Sequence, residues 1–203
     1  ILDFVEFGVW GSYLTSLGSY LVSVGMGGRI SLFYSVQGFV SLFMPAFMGI
    51  LADRWIPAQK LLSVSHLIVS VALISMGLYG YQMGGEVSFQ TLFLFFAVNM
   101  AFFMPTIALT NSVSYNALDK AGLEAVKAFP SIRMFGTIGF ILAMIFVDLA
   151  GFQRGPQQFI VAGVLSWLLC PYALTMPHCP VNKNKAKKGI VESLGLQAFT
   201  LFK

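Results

Sequence analysis

Hydrophobic positions fall into six long runs, separated by short links that contain polar residues, glycine or proline. A helix that crosses the hydrocarbon core needs about 20 mostly apolar residues. The runs cover approximately residues 1–24, 30–51, 61–82, 89–115, 132–150 and 158–176. We therefore predict an all-α membrane protein with six transmembrane helices within residues 1–177. A basic linker and a short amphipathic stretch should follow over 178–203.

Composition supports this class of protein. Hydrophobic residues make up 57% of the chain and charged residues 10%, whereas soluble domains carry roughly 25% charged residues. Cys170 and Cys179 have no pairing or metal-ligand pattern. The sequence contains no nucleophile elbow, P-loop, HExxH or CxxC motif and no basic patch with interleaved aromatics. We predict neither an enzyme nor a nucleic-acid partner, and no organic cofactor or metal.

The basic residues predict the orientation of the helices. Arg29 and Arg154 fall on one side, and the opposite side receives all the other basic positions of the loops: Arg54, Lys60, Lys120, Lys127, Lys183, Lys185, Lys187 and Lys188. Cytoplasmic loops are enriched in Lys and Arg, so both chain ends should be cytoplasmic. The chain opens without Met, and it stops where a seventh span should begin. We expect a missing N-terminal piece and an absent second bundle.

One arginine stands inside the fifth apolar run. Arg133, Thr137 and Phe140 recur at i, i+4 and i+7, which places them on one face of a helix. Gly136 and Gly139 leave the backbone thin enough for a close neighbour or a ligand. An ionised group at the membrane centre costs at least about 2.5–3.5 kcal/mol, so it normally faces a bundle interior or a wet cavity. The alternative is that Arg133 lies near the helix start and reaches the lipid headgroups.

Other polar side chains occur within the apolar runs. Asp3 and Glu6 are three residues apart in the first run and could take part in proton coupling, or Glu6 could pair with Arg133. Equally, both acids could lie at the cytoplasmic headgroups. His66 has no acid or second histidine near it in sequence, which favours an interior histidine with satisfied hydrogen bonds over a proton relay.

Two amides and one tryptophan are further candidates for the cavity. Gln37 and Asn111 lie within predicted spans, where an amide more often bonds a neighbouring helix than a ligand. Trp10 could line a cavity or be an ordinary packing residue.

The link between the second and third runs reads GILADRW over 49–55 and resembles the GxLaDrxgrk loop of the major facilitator superfamily. Gly49 would allow close helix contact, while Asp53 and Arg54 could pair with or cap a neighbouring helix in one conformation and release it in another. We interpret these three residues as a conformational latch. The alternative is a plain charged turn.

Several further segments are similar to the bacterial nucleoside/proton symporter family. They are WGSYL at 10–14, LGSY at 17–20, MPA at 44–46, MPT at 104–106, NSVSY at 111–115, FPSIRMFGTIGF at 129–140, and LGLQAF at 194–199 with LFK at 201–203. Together they extend over essentially the whole chain in order. The resemblance implies two six-helix bundles around a central cavity, in the bacterial inner membrane, that take up nucleosides with protons by alternating access.

Carried over by position, Arg133, Thr137 and Phe140 would be the contribution of the N-terminal half to the nucleoside site. The family usually has uncharged polar residues where this chain has Asp3 and Glu6, which is a departure. Its expected partners are a nucleoside, the lipid bilayer and a C-terminal six-helix bundle, with the proton as coupling ion. A transporter for another small polar solute such as a sugar remains open, as does a non-transporting six-helix module or channel.

Overall fold

The computed structural model describes residues 1–181, which form helices and short connections. The basic linker and amphipathic stretch predicted for 178–203 lie, from residue 182 onwards, outside the described residues. The helices are α1 (Leu2–Gly11), α2 (Leu17–Ser23), a 3-10 turn (Gly27–Arg29), α3 (Ile30–Arg54), α4 (Ala58–Met83), α5 (Phe89–Lys120), α6 (Ala125–Leu149) and α7 (Gln157–Leu174). The predicted all-helical class is confirmed for this part of the chain.

The first apolar run is not one continuous helix. It consists of α1 and α2, which are joined by a turn over residues 12–16. The Ser12 hydroxyl donates a hydrogen bond to the Gly8 carbonyl at 2.8 Å, and such local bonds compete with the regular helical ladder. Since Thr15 and Ser16 follow closely, the segment carries several weak helix formers. The predicted single span over 1–24 therefore contains a break.

Five helices, α3 to α7, are individually long and apolar enough to cross a membrane in the part of the chain that the structure describes. Their bounds differ from the predicted ones chiefly around α6. This helix begins at Ala125, before Pro130, rather than at residue 132. Proline is tolerated inside membrane helices because neighbouring groups satisfy the carbonyl that loses its partner.

Helices α4 and α5 form the centre of the bundle. Helix α4 packs on α5 and α7, α1 packs on α5, α6 and α7, and α3 packs on α5. The most apolar windows of α4 and α5 are 61% and 50% buried, against 6% and 17% for the windows in α3 and α6. Outward-facing apolar side chains on the latter two helices include Leu42, Phe43, Phe47, Phe135 and Leu142. These two faces suit contact with lipid or another helical unit.

Glycines bring the backbones of α1 and α6 together. A Cβ atom added at Gly11 would overlap the carbonyl oxygen of Phe140, and one added at Gly139 would overlap that of Phe4. A Cβ at Gly136 would lie only 2.7 Å from the Phe7 ring. The predicted close neighbour of α6 is confirmed, and it is α1. This contact fixes the position of the Arg133 face relative to the first helix.

Candidate functional site

Arg133 lies at the contact between α6 and α1. Its side chain is half-buried, and its guanidinium carbon lies 3.8 Å from the centroid of the Phe7 ring. Such a cation–π contact holds the charge without neutralising it. Within residues 1–181, no carboxylate lies within salt-bridge distance of this guanidinium. Arg133 therefore retains donors that could bind a ligand.

The other two predicted residues of this face lie on the following turns of α6. The Phe140 ring meets Trp10 edge-on at a centroid distance of 6.1 Å, and Trp10 lies 6.2 Å from Phe7. Arg133 and Phe140 thus share one aromatic cluster with α1. The Thr137 side chain, between them on the helix, is exposed. The face combines a cation, a hydroxyl and an aromatic ring.

Three more predicted cavity residues carry buried polar atoms that lack hydrogen-bond partners among the described residues. These atoms are Nε1 of Trp10, Oε1 of Gln37 and Oδ1 of Asn111. Leaving a buried polar group unsatisfied costs about 1–3 kcal/mol. Such groups are typical of positions that bind water, a ligand or a further part of the protein.

Glu6 lies inside the bundle, and its partner is His66 of α4. Both side chains are 0% exposed, and Oε2 of Glu6 is 2.7 Å from Nε2 of His66. The sequence around His66 suggested an isolated histidine. In the structure an acid 60 positions away lies against it. The opposite ring nitrogen, Nδ1, lies 3.0 Å from the Ser166 hydroxyl of α7. Helices α1, α4 and α7 thus meet at one buried polar cluster.

Hydroxyl groups of α5 complete this cluster. Thr106 donates to Oε1 of Glu6 at 2.6 Å, and Thr110 approaches Oε2 at 3.3 Å. One turn further along α5, Ser114 donates to Oδ2 of Asp3 at 2.9 Å. Asp3 is 1% exposed, so neither acid has the exposed position expected of a residue at the headgroups.

The polar face of α5 was missed in the sequence, although a signal for it exists. Asn99, Thr106, Thr110 and Ser114 are spaced by seven, four and four residues, which places them on one side of a helix. Asn99 bonds the Tyr13 hydroxyl at 3.1 Å. This stripe therefore faces the first segment and supplies hydrogen bonds to Asp3, Glu6 and Tyr13.

The predicted latch residues lie at the end of α3. Asp53 is exposed and Arg54 is half-buried, and both residues take part in interactions. Among the described residues, no atom lies within 4 Å of the position that a Cβ on Gly49 would occupy. The close helix contact expected at Gly49 is not formed in this conformation.

The fold and these clusters define a multi-pass helical membrane protein that encloses polar and ionisable groups between its helices. The chain belongs to the Nucleoside H+ symporter family, which it matches over residues 1–203.

Curated relatives agree with this assignment. The chain is 40% identical over 205 residues to a xanthosine permease of Escherichia coli (strain K12), covering 100% of the chain and 47% of that protein. It is 41% identical over 206 residues to the nucleoside permease NupG of the same organism, with 100% and 47% covered. The chain thus spans about half the length of the curated relatives it matches.

Solved structures show the same fold. A crystal structure of the nucleoside transporter NupG matches with a TM-score of 0.83 at 40% identity, covering 100% of this chain and 49% of that one. A mutant form of NupG matches with a TM-score of 0.89 at 39% identity, covering 99% and 49%.

Proposed function

We propose that this chain supplies the N-terminal half of a transporter that takes up nucleosides together with protons across the bacterial inner membrane by alternating access. Family membership and the permease relatives support this proposal. The match to about half of each relative supports a C-terminal bundle as the missing partner.

In this proposal, α1 and α2 together make the first of six spans, and α3 to α7 make the other five. The six spans form the N-terminal bundle of a major facilitator superfamily fold. The weakly buried α3 and α6 would lie partly against the second bundle and partly against lipid. The distribution of the basic positions supports a cytoplasmic location for both ends of the chain. Asp53 and Arg54 would then lie at the cytoplasmic end of α3, where a latch could act.

Arg133 carries the proposal for the substrate site. It is a half-buried cation that no carboxylate neutralises within residues 1–181, and it lies on an aromatic ring. Its donors suit the carbonyl of a base or the hydroxyls of a ribose. Phe140 offers a face for stacking a base, and Thr137 offers a rotatable hydroxyl. Trp10, Gln37 and Asn111 would add the unsatisfied polar atoms described above.

Nucleoside-dependent thermal stabilisation of the purified full-length protein tests this site. Uridine and adenosine should each raise the melting temperature of the wild type, since a ligand that binds only the folded state stabilises it. Arg133→Ala should lose this shift. Arg29→Ala is the matched control, because Arg29 also lies over a phenylalanine ring, Phe89, at 4.3 Å. Equal shifts in both variants would contradict the assignment of Arg133.

A further inference from the structure

We propose that Glu6 and His66 form a proton-binding site inside the N-terminal bundle, with Thr106 adapting its hydrogen bonds to the protonation state of Glu6. The link between this site and transport rests on the function proposed above, whereas proton binding itself does not.

Ser166 gives Nδ1 of His66 a hydrogen-bond partner in either protonation state of the ring. Its hydroxyl lies 3.0 Å from the His66 carbonyl and 3.0 Å from Nδ1. A carboxylate has no hydrogen, so when Glu6 is ionised its 2.7 Å contact with Nε2 requires a hydrogen on Nε2. In the neutral ring Nδ1 then accepts the Ser166 hydrogen. In the imidazolium Nδ1 donates to Ser166, and Ser166 donates to the His66 carbonyl.

Thr106 has two acceptors for a single hydrogen. Its hydroxyl lies 2.6 Å from Oε1 of Glu6 and 2.6 Å from the carbonyl of Phe103. When Glu6 is a carboxylate, Thr106 can donate to it. When Glu6 is a carboxylic acid, the acid can donate to Thr106, and Thr106 can donate to Phe103. Both protonation states of Glu6 thus keep a complete hydrogen bond at Thr106 without moving any heavy atom.

In the protonated state, the Glu6–His66 pair holds one exchangeable proton. The pair is then either a carboxylate with an imidazolium or a carboxylic acid with a neutral imidazole. Release of that proton to water leaves a carboxylate and a neutral imidazole, so the buried pair changes from net neutral to one negative charge. Thr106 and Thr110 remain as donors to this carboxylate. An uncompensated charge in the bundle interior is costly, so the two states should favour different packing around the contact between Glu6 and His66.

Few other ionisable groups surround the pair. Asp3 lies one turn before Glu6 on α1, the Tyr13 hydroxyl follows the same helix, and Arg133 of α6 lies over Phe7. Helices α5 and α7 contribute hydroxyls, those of Thr106, Thr110, Ser114 and Ser166. Oδ1 of Asp3 is buried without a hydrogen-bond partner in the described part of the chain. Asp3 is thus a second acidic group through which a proton could reach Glu6.

Infrared difference spectroscopy of the purified full-length protein in lipid tests proton binding directly and needs no nucleoside. Changing the pH should reveal either the band of a protonated carboxylic acid or the band of an imidazolium, and Glu6→Gln should abolish the first or shift the pH at which the second appears. Glu124→Gln is the matched control, because Glu124 is an exposed carboxylate paired with Lys127, and it should leave the band in place. A band that is unchanged in Glu6→Gln would overturn the proposal.

Variants of Thr106 keep the test decisive should Glu6→Gln fail to fold. Thr106→Val removes the adaptable hydroxyl and should shift the pH at which the band of the protonated pair appears. Thr106→Ser retains the hydroxyl and should restore the wild-type pH. Identical pH dependence in wild type, Thr106→Val and Thr106→Ser would contradict the assigned role of Thr106.

Transport then tests coupling. In vesicles with an imposed pH gradient, Glu6→Gln should lose accumulation of nucleoside above the external concentration to a greater extent than it loses nucleoside exchange at equal pH. Equal losses of both would contradict a coupling role. A wild type that accumulates neither uridine nor adenosine, yet shows the band of the protonated pair, would refute the proposed function and leave the proton site intact.

Discussion

Phe7 and Arg133 connect α1 to α6 through a cation–π contact in which the guanidinium carbon lies 3.8 Å from the ring centroid. Glu6, the neighbour of Phe7 in sequence, points to the opposite partner, His66 of α4. One turn of α1 therefore contacts both the proposed substrate residue and the proposed proton site. Any movement of this turn would therefore change the surroundings of both Arg133 and the Glu6–His66 pair.

Replacement of Phe7 by leucine should weaken nucleoside binding. The aromatic face under Arg133 would be lost, and cation–π contacts contribute about 0.5–2 kcal/mol. We expect calorimetric titration of the full-length protein with uridine to give a larger dissociation constant than that of the wild type. Phe89→Leu removes the corresponding ring under Arg29 and serves as the control. Equal affinities for the two variants would argue against a role for the Phe7 contact.

Gly139→Ala should destabilise the bundle. The added methyl group would overlap the Phe4 carbonyl of α1, and overpacking typically costs about 1–3 kcal/mol. The melting temperature of the detergent-solubilised full-length protein measures the effect. Size-exclusion chromatography after heating reports the fraction that is still folded. Gly38→Ala is the control, because the same methyl would meet no described atom within 4 Å. Equal melting temperatures of the two variants would show that α1 and α6 are not in close contact.

Gln59 should govern the accessibility of Cys179. Its side chain lies 3.0 Å from Nδ1 of His178 and accepts a hydrogen bond from the backbone N–H of Cys179 at 3.0 Å. Lys120 donates to the His178 carbonyl, which also holds the segment that follows α7. Gln59→Ala removes two of these contacts, so we expect the segment to become more exposed.

Alkylation of Cys179 at different pH values measures this exposure. Burial raises the pKa of the Cys179 thiol, against smaller lowering effects of the Gln59 hydrogen bond and the Lys120 charge. The thiol thus stays protonated at pH values where an exposed cysteine ionises, and wild-type alkylation should be slow until the pH exceeds the usual range. In Gln59→Ala the reaction should be faster at neutral pH. Gln90→Ala, at the start of α5, should behave like wild type in peptide mass spectrometry. Unchanged rates in Gln59→Ala would refute the predicted role of Gln59.

The long helices could be predicted from the sequence because each is an apolar run of sufficient length. The shared face of Arg133 and Phe140 could be predicted because it depends only on the helical period. The break after Gly11 could not be placed, since the apolar run continues through it and only local hydroxyl bonds such as that of Ser12 interrupt the helix.

The partners of buried polar groups were also beyond sequence reasoning. Glu6 and His66 are 60 positions apart, and their contact depends on how α1 and α4 are rotated against each other. The spacing of Thr106, Thr110 and Ser114 indicates a polar face on α5, but only packing shows that it is directed at the two acids of α1.

Proton-driven uptake of labelled uridine and adenosine by the full-length protein in vesicles tests the central claim most directly. We predict uptake by the wild type and by Arg29→Ala, and its loss in Arg133→Ala at equal amounts of inserted protein. Absence of uptake of both nucleosides by the wild type would contradict the nucleoside assignment. Full uptake by Arg133→Ala would retain the function but remove Arg133 from the substrate site.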